Sequence, residues 1–200
     1  GSGGLTKSGA GTLTLSQANT FTGTTTVSAG TLAEGVNNAL ASGGLTVSGG
    51  TFSMATFTDT VGAVTLASGA ITGGVGGTLT ATSYGVQSGS ISAILAGAVG
   101  LTKTTSGTVT LSGVNTYTGV TTINGGVLSV GLLANGGAAS NIGASAAAAA
   151  NLVLGGGTLQ YTGGTVASNR AFTLTAATDS TVDVTSAAAA LTFSGASAAT

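Results

Sequence analysis

The sequence predicts an all-β fold, and more narrowly a parallel β-helix (β-solenoid) of about ten coils with roughly 19–20 residues per coil. The chain has no Pro, many Thr and few Lys, Glu and Gln, a composition that disfavours helices and favours extended strands. Apolar residues alternate with polar ones, as at Leu13 and Leu15 or Val109 and Leu111. A short pattern then returns at a fixed interval, which indicates stacked units that bury a core only together.

The repeating unit has two small residues and a Gly between apolar positions, and its copies begin at positions 8, 27, 47, 66, 86, 104 and 123. A longer repeat contains these units, because residues 5–33 and 101–129 are identical at 16 of 29 ungapped positions. We therefore expect one continuous solenoid over 1–200, built from an internal 96-residue repeat at 5–100 and 101–196.

The next copy of the unit, LGGGTL, begins only at Leu154, well beyond the regular interval from the copy at Ile123. The extra chain is rich in Gly and Ala, so we expect an inserted loop at 132–150. Leucine-rich repeats are disfavoured because the units lack the LxxLxL pattern, and calcium-binding β-rolls because residues 73–78 lack an Asp ligand. Gly and Asn are expected at the tight corners of the coils. These corner residues are Asn19, Gly30, Gly50, Asn115, Gly126 and Gly157.

Composition excludes several function classes. Three Lys and Arg against four Asp and Glu give no basic patch for nucleic acid. The absence of His and Cys removes thiolate and imidazole metal sites, the Ser-His and Cys classes of catalysis, and disulfides. We therefore expect no enzyme activity, no cofactor and no metal, and the longest apolar tract is too short for membrane insertion.

The residues 3–23, GGLTKSGAGTLTLSQANTFTG, and their copy at 100–119 resemble the autotransporter-associated β-strand repeat of secreted bacterial passenger domains. The segments at 152–174 and 191–195 are similar to other recurring elements of that repeat. The resemblance implies a right-handed parallel β-helix that a Gram-negative bacterium exports across its outer membrane to the cell surface or the extracellular space.

Four residues recur at equivalent places of the two long repeats: Lys7 and Lys103, and Phe21 and Tyr117. Recurrence favours a structural or surface role for the two lysines, and an exposed Lys would block edge pairing and aid solubility. An alternative for Asn19 and Asn115 is an amide clamp on a carbohydrate, with the neighbouring aromatic ring as a stacking platform.

Two acidic residues support an enzymatic alternative. Asp179 and Asp183 are four residues apart, Arg170 precedes them, and a pair of carboxylates can act as acid and base or hold a divalent ion. More commonly, two such Asp residues are solvated surface charges without a catalytic role. Glu34 and Asp59 are isolated in the sequence and are expected to be solubilising surface charges.

Thr-x-Thr triplets suggest a further alternative, binding to ice through regular Thr rows. The Thr-x-Thr segments at 12–14, 56–60, 78–82 and 108–110 fall at differing phases of the repeat, which disfavours a regular array.

The sequence therefore favours a structural extracellular stalk or fibre segment that supports adhesion, matrix or filament formation. Its expected partners are copies of itself or further repeats stacked at the solenoid ends, and host or surface glycans. The alternative is a ligand- or carbohydrate-binding surface module with the insertion as its recognition loop.

Overall fold

The computed structural model describes all of residues 1–200 and shows an all-β chain wound into a solenoid of parallel strands. Its only helical element is a 3-10 turn at Ala149–Asn151, and no helix is long and apolar enough to cross a membrane. The strands, in chain order, are β1 (Leu5–Lys7), β2 (Thr12–Leu15), β3 (Thr25–Val27), β4 (Thr31–Glu34), β5 (Leu45–Ser53), β6 (Thr58–Thr60), β7 (Ala63–Thr72), β8 (Thr78–Thr80), β9 (Ser83–Val86), β10 (Gly89–Ile91), β11 (Ile94–Ala96), β12 (Leu101–Lys103), β13 (Thr108–Leu111), β14 (Thr121–Ile123), β15 (Val127–Val130), β16 (Leu152–Leu154), β17 (Thr158–Tyr161), β18 (Val166–Ser168), β19 (Thr173–Leu174), β20 (Thr181–Val184), β21 (Leu191–Phe193) and β22 (Ala198–Ala199).

Two long ladders form two sides of the solenoid. The first side stacks β1, β3, β5, β7, β9, β12, β14, β16, β19 and β22. The second side stacks β2, β4, β5, β7, β10, β13, β15, β17 and β20. β5 and β7 belong to both sides and shift register between them. A short third side consists of β6, β8 and β11, and β18 pairs with β21.

The coil length matches the period of the sequence. At most steps of the first side, paired residues are separated by about one sequence period, as Leu5 and Thr25 are. The steps from Thr121 to Leu152 and from Thr173 to Ala198 are longer than one period. Because these steps are long, the chain makes about nine turns, close to the ten that the period predicts.

The alternation of each strand separates an inner from an outer column of side chains. On the first side one inner column stacks Val27, Val47, Leu66, Val86, Ile123 and Leu154 with Lys7 and Lys103, all buried. The second-side inner column includes Leu32, Phe52, Ile71, Ile91, Leu111 and Val130, also buried. The stacked columns form one continuous apolar core along the rod.

The outer column of the first side is mostly Thr, because a β-branched residue with a hydroxyl suits a half-exposed pleat. Its threonines are Thr6, Thr26, Thr46, Thr65, Thr102, Thr122 and Thr173. Gly85 and Val153 interrupt the column.

Candidate functional site

The two recurring lysines lie at equivalent corners and point into the rod. Lys103 Nζ donates to the carbonyl oxygens of Thr104, Thr105 and Gly125, at 2.7, 2.8 and 2.9 Å. Lys7 Nζ makes the same three contacts one long repeat earlier, at 2.6 to 3.0 Å. Each ammonium therefore ties its own corner to that of the next coil.

Of the two roles considered for the lysines, the surface role is wrong because neither side chain is exposed. Lys103 is 0% exposed and Lys7 is 7% exposed, because both stand two residues after an inward Leu and therefore share its side of the strand. Burial lowers the pKa of the Lys103 ammonium.

The glycines predicted at corners fall into two classes. Gly30 and Gly126 have φ angles of 63° and 61°, and a Cβ at either would lie 2.7 Å from the neighbouring Lys Nζ. Gly50 and Gly157 lack a positive φ, but a Cβ there would crowd the side chain of Val27 or Ile123. A side chain at any of these four positions would therefore clash with neighbouring atoms. At Gly30 and Gly126 it would also be strained by the positive φ angle.

Asn19 and Asn115 use their amides to join neighbouring coils. Asn19 Nδ2 donates to the carbonyls of Gln17 and Ala39, at 2.9 and 2.7 Å. Asn115 Oδ1 accepts from Leu95 N at 2.8 Å, and its Nδ2 donates to Asn141 O at 2.6 Å. Neither residue has a positive φ.

The aromatic partners of these asparagines pack inward. Tyr117 is 0% exposed, its hydroxyl lies 2.8 Å from Thr121 Oγ1, and its ring centroid is 6.1 Å from that of Tyr84. Burial raises the pKa of both tyrosines. Phe21 is partly buried against the core. The Tyr117 ring therefore has no free face for a sugar.

Arg170 holds the chain between β15 and β16 against the rod. It is 2% exposed, and its guanidinium donates to Ser145 Oγ at 3.0 Å and to four backbone carbonyls. Those carbonyls belong to Ala134, Ala138, Gly143 and Ser145. Desolvation lowers the pKa of Arg170.

A second clamp holds the same segment. Asn141 Oδ1 accepts from the backbone N–H groups of Gly131 and Leu132, at 2.9 and 2.6 Å. Its Nδ2 donates to Gly113 O at 2.8 Å, one coil below. Leu133 and Ile142 are buried in the common core. The part of the predicted inserted loop around residues 140–145 therefore packs against the rod instead of looping away from it.

The residues of the enzymatic alternative do not come together. The Arg170 guanidinium makes all its hydrogen bonds with the segment described above. Asp183 accepts from Gln160 Nε2 at 3.0 Å, and Asp179 is exposed. No three His, Cys, Asp or Glu side chains form a group, and the surface has no pocket.

Glu34 and Asp59 are not surface charges, contrary to the sequence-based expectation. Glu34 is 4% exposed and Asp59 is 1% exposed, and their carboxyl groups contact each other. Desolvation, together with the neighbouring Asp59, raises the pKa of Glu34 to about 9. Sequence reasoning missed this pair because the two residues belong to different coils.

The Thr-x-Thr triplets do not continue into rows. Thr58 and Thr60 stack on Thr78 and Thr80, but Ile94 and Ala96 follow in the next coil. The triplet at 12–14 stacks on Thr31 and Ala33. The longest run of stacked Thr is the outer column of the first side, and Gly85 and Val153 interrupt it.

Comparison with known proteins identifies the repeats. The family model described as the passenger-associated-transport-repeat matches residues 5–33 and 101–130. No curated protein and no solved structure matches the chain. The two matched segments contain the buried Lys corners, Lys7 with Gly30 and Lys103 with Gly126. Residues 5–33 and 101–130 are therefore similar to the passenger-associated-transport-repeat, and both segments lie within one β-helical domain.

Proposed function

We propose that this domain is a rigid, non-enzymatic segment of an extracellular bacterial stalk or fibre that supports adhesion, matrix or filament formation. The observation that carries the proposal is the apolar core, which is continuous from Val27 to Tyr161, in a rod without a pocket. Ladders of backbone hydrogen bonds between coils add stiffness along the axis. Such a rod is better suited to holding two surfaces apart than to binding a small molecule.

The junction between the two long repeats shows how one repeat can stack on another. The coil that begins with Leu101 pairs in register with the preceding coil through Tyr84 and Leu101. β1 has the same LTK sequence as β12. We therefore infer that β1 of a further copy can pair with β22 as β12 pairs with β9. We propose that further coils, from a second copy or from a longer polypeptide, cover the terminal coils.

The terminal coils present apolar side chains suited to this contact. Leu13 is 38% exposed near one end, and Leu174 and Val182 are each 39% exposed near the other. Their equivalents in central coils, such as Leu32 and Leu159, are fully buried by the next coil.

The experiment compares Val182→Asp with Val75→Asp in light scattering and electron microscopy over a range of concentrations. Val75 is 96% exposed and lies away from the end strands, so its substitution is the matched control. We expect elongated assemblies from the wild type and from Val75→Asp, and monomeric rods from Val182→Asp. Monomeric wild-type rods at high concentration would refute assembly between copies.

The role in export and attachment has a separate test. The natural polypeptide is labelled at this domain and located on intact cells, and cells lacking the domain are compared for attachment. Surface labelling together with lost attachment supports the stalk, whereas unchanged attachment contradicts an adhesive role.

A further inference from the structure

The buried pair of Glu34 and Asp59 is the feature of the core that a stalk does not explain. Leu40 N donates to Asp59 Oδ2 at 2.8 Å. The other three carboxyl oxygens are inaccessible to solvent and accept no hydrogen bond from any other residue, so the two carboxyl groups contact only each other there. Buried polar atoms in proteins are nearly always paired, so two carboxyl groups that have only each other in the core require an explanation.

No basic side chain compensates the two carboxyl groups. The chain has three Lys and Arg residues, and all three direct their charged groups to carbonyl or hydroxyl oxygens elsewhere: Lys7, Lys103 and Arg170. An uncompensated carboxylate in an apolar core is strongly unfavourable, and buried charges are normally paired or coordinate metals. One divalent cation neutralises both carboxylates, whereas one shared proton leaves a buried negative charge.

We propose that Glu34 and Asp59 bind a hard divalent cation, for which Ca²⁺ is the best match. Their carboxyl groups offer oxygen ligands only, which select Ca²⁺ and Mg²⁺ over the softer transition metals. Ca²⁺ tolerates irregular coordination and accepts backbone carbonyls and water beside carboxylates. Two carboxylates provide up to four ligand oxygens, so backbone and water would complete the shell.

The position of the pair gives the ion a structural consequence. Glu34 ends β4 on the second side of one coil, and Asp59 is the middle residue of β6 on the third side of the next. The segment between β4 and β5 is already tied to β6, because Asn37 Oδ1 accepts from Thr58 N at 2.9 Å. A cation shared by both residues would therefore fasten two coils and two sides together.

The test measures calcium binding to the whole chain at neutral pH. The protein is first freed of metal with a chelator, then titrated with Ca²⁺ or Mg²⁺ in a calorimeter, and its thermal unfolding is followed with and without each ion. We expect Ca²⁺ to raise the unfolding temperature by several degrees in the wild type. Glu34→Gln and Asp59→Asn should lose both the heat of binding and the shift, whereas the exposed-surface variant Asp179→Asn should keep them.

Two results would overturn the proposal: no heat of binding in the metal-free wild type, or an equal Ca²⁺ response in the wild type and Glu34→Gln. Either would mean that protons alone neutralise the pair. The calorimetric result on the wild type decides even if a variant fails to fold. It is also independent of whether the rod assembles or supports attachment.

Discussion

Lys103 shows how a single residue can close a corner of the solenoid. Its four-carbon stem stays in the inner column, and its ammonium reaches three carbonyl oxygens that the turn leaves without strand partners. Gly126 allows the close approach, because any side chain there would meet both the ammonium and the backbone. The same pairing at Lys7 and Gly30 makes the corner a property of the repeat.

We expect Lys103→Met to lower the free energy of unfolding by about 2–3 kcal/mol, because it leaves buried carbonyl groups unpaired while preserving the volume of the stem. Lys7→Met is the matched comparison and should cost less, since Lys7 lies in the first coil and is slightly exposed. Urea unfolding measures both values. An equal loss of unfolding free energy in the two variants would contradict the expectation that the cost increases with burial of the ammonium.

The buried Glu34 gives the metal-free protein a pH dependence of defined sign. The raised pKa means that the native state keeps a proton that the unfolded chain releases near pH 4.5. The free energy of unfolding should therefore fall as the pH rises from about 4.5 to about 9, and this loss should be absent from Glu34→Gln. Unfolding temperatures measured in a chelating buffer across this range would show it. Parallel curves for both proteins would refute it.

The sequence contained a signal for these buried charges. Lys7 stands two residues after Leu5, and Glu34 stands two residues after Leu32. Alternation alone therefore placed both on the inner side of a strand. The expectation of surface charges failed because it applied average burial statistics where the period of the strand was decisive. The contact between Glu34 and Asp59 depends on how two coils stack, which no local pattern contains.

At the scale of elements, the chain between β15 and β16 differs from the ladders that it joins. It has little regular structure, and Arg170 and Asn141 replace strand pairing as the source of its order. Its Gly and Ala content predicted extra chain at this place. Its packing could not be predicted, because Arg170 lies one coil later in the sequence.

We expect Arg170→Met to release this segment while the rod persists. The substitution removes all five guanidinium hydrogen bonds and leaves four backbone carbonyls without their partner. Hydrogen exchange should rise at 134–145 and stay unchanged in β5 and β7. Lys103→Met is the control and should leave exchange at 134–145 unchanged. Unaltered exchange in Arg170→Met would show that Asn141 and the buried Leu133 suffice.

The inner columns predict a gradient of stability along the ladder. Leu128→Ala removes a side chain enclosed by coils above and below, and should cost about 2–5 kcal/mol. Leu13→Ala removes one that is 38% exposed, and should cost less than half as much. Chemical denaturation gives both values. A similar loss at the two sites would mean that the first coil is as tightly enclosed as the middle.

At the scale of the whole molecule, nearly all the charge is inside. Lys7, Lys103, Arg170, Glu34 and Asp59 are buried. Asp179 and Asp183 are the remaining acidic side chains, and neither forms an ion pair. The exterior of the rod is therefore poor in charge and rich in the hydroxyl and methyl groups of Thr, Ser and Ala.

We expect the unfolding temperature to change by no more than about 2 °C between low salt and about 0.5 M NaCl, because salt screens exposed charges and hardly affects buried ones. Calorimetry at a series of NaCl concentrations checks this. A steep dependence would mean that surface ion pairs contribute more to stability than the structure indicates.

The fold itself followed from the sequence because a solenoid repeats one local rule. The regular interval between copies of the short unit equals the length of one coil. The alternation of apolar and polar residues corresponds to the inner and outer columns of side chains. The number of turns was slightly overestimated because the steps that end at Leu152 and Ala198 use more chain than a regular coil.

The coil-by-coil stacking has a mechanical consequence. A force that pulls the two ends apart can peel one coil at a time, since each coil touches only its neighbours. Each peeled coil yields roughly 65–70 Å of extended chain in exchange for about 4.8 Å of rod. A tether made of such coils would lengthen in steps, and would absorb the work of a sudden pull before its attachment fails.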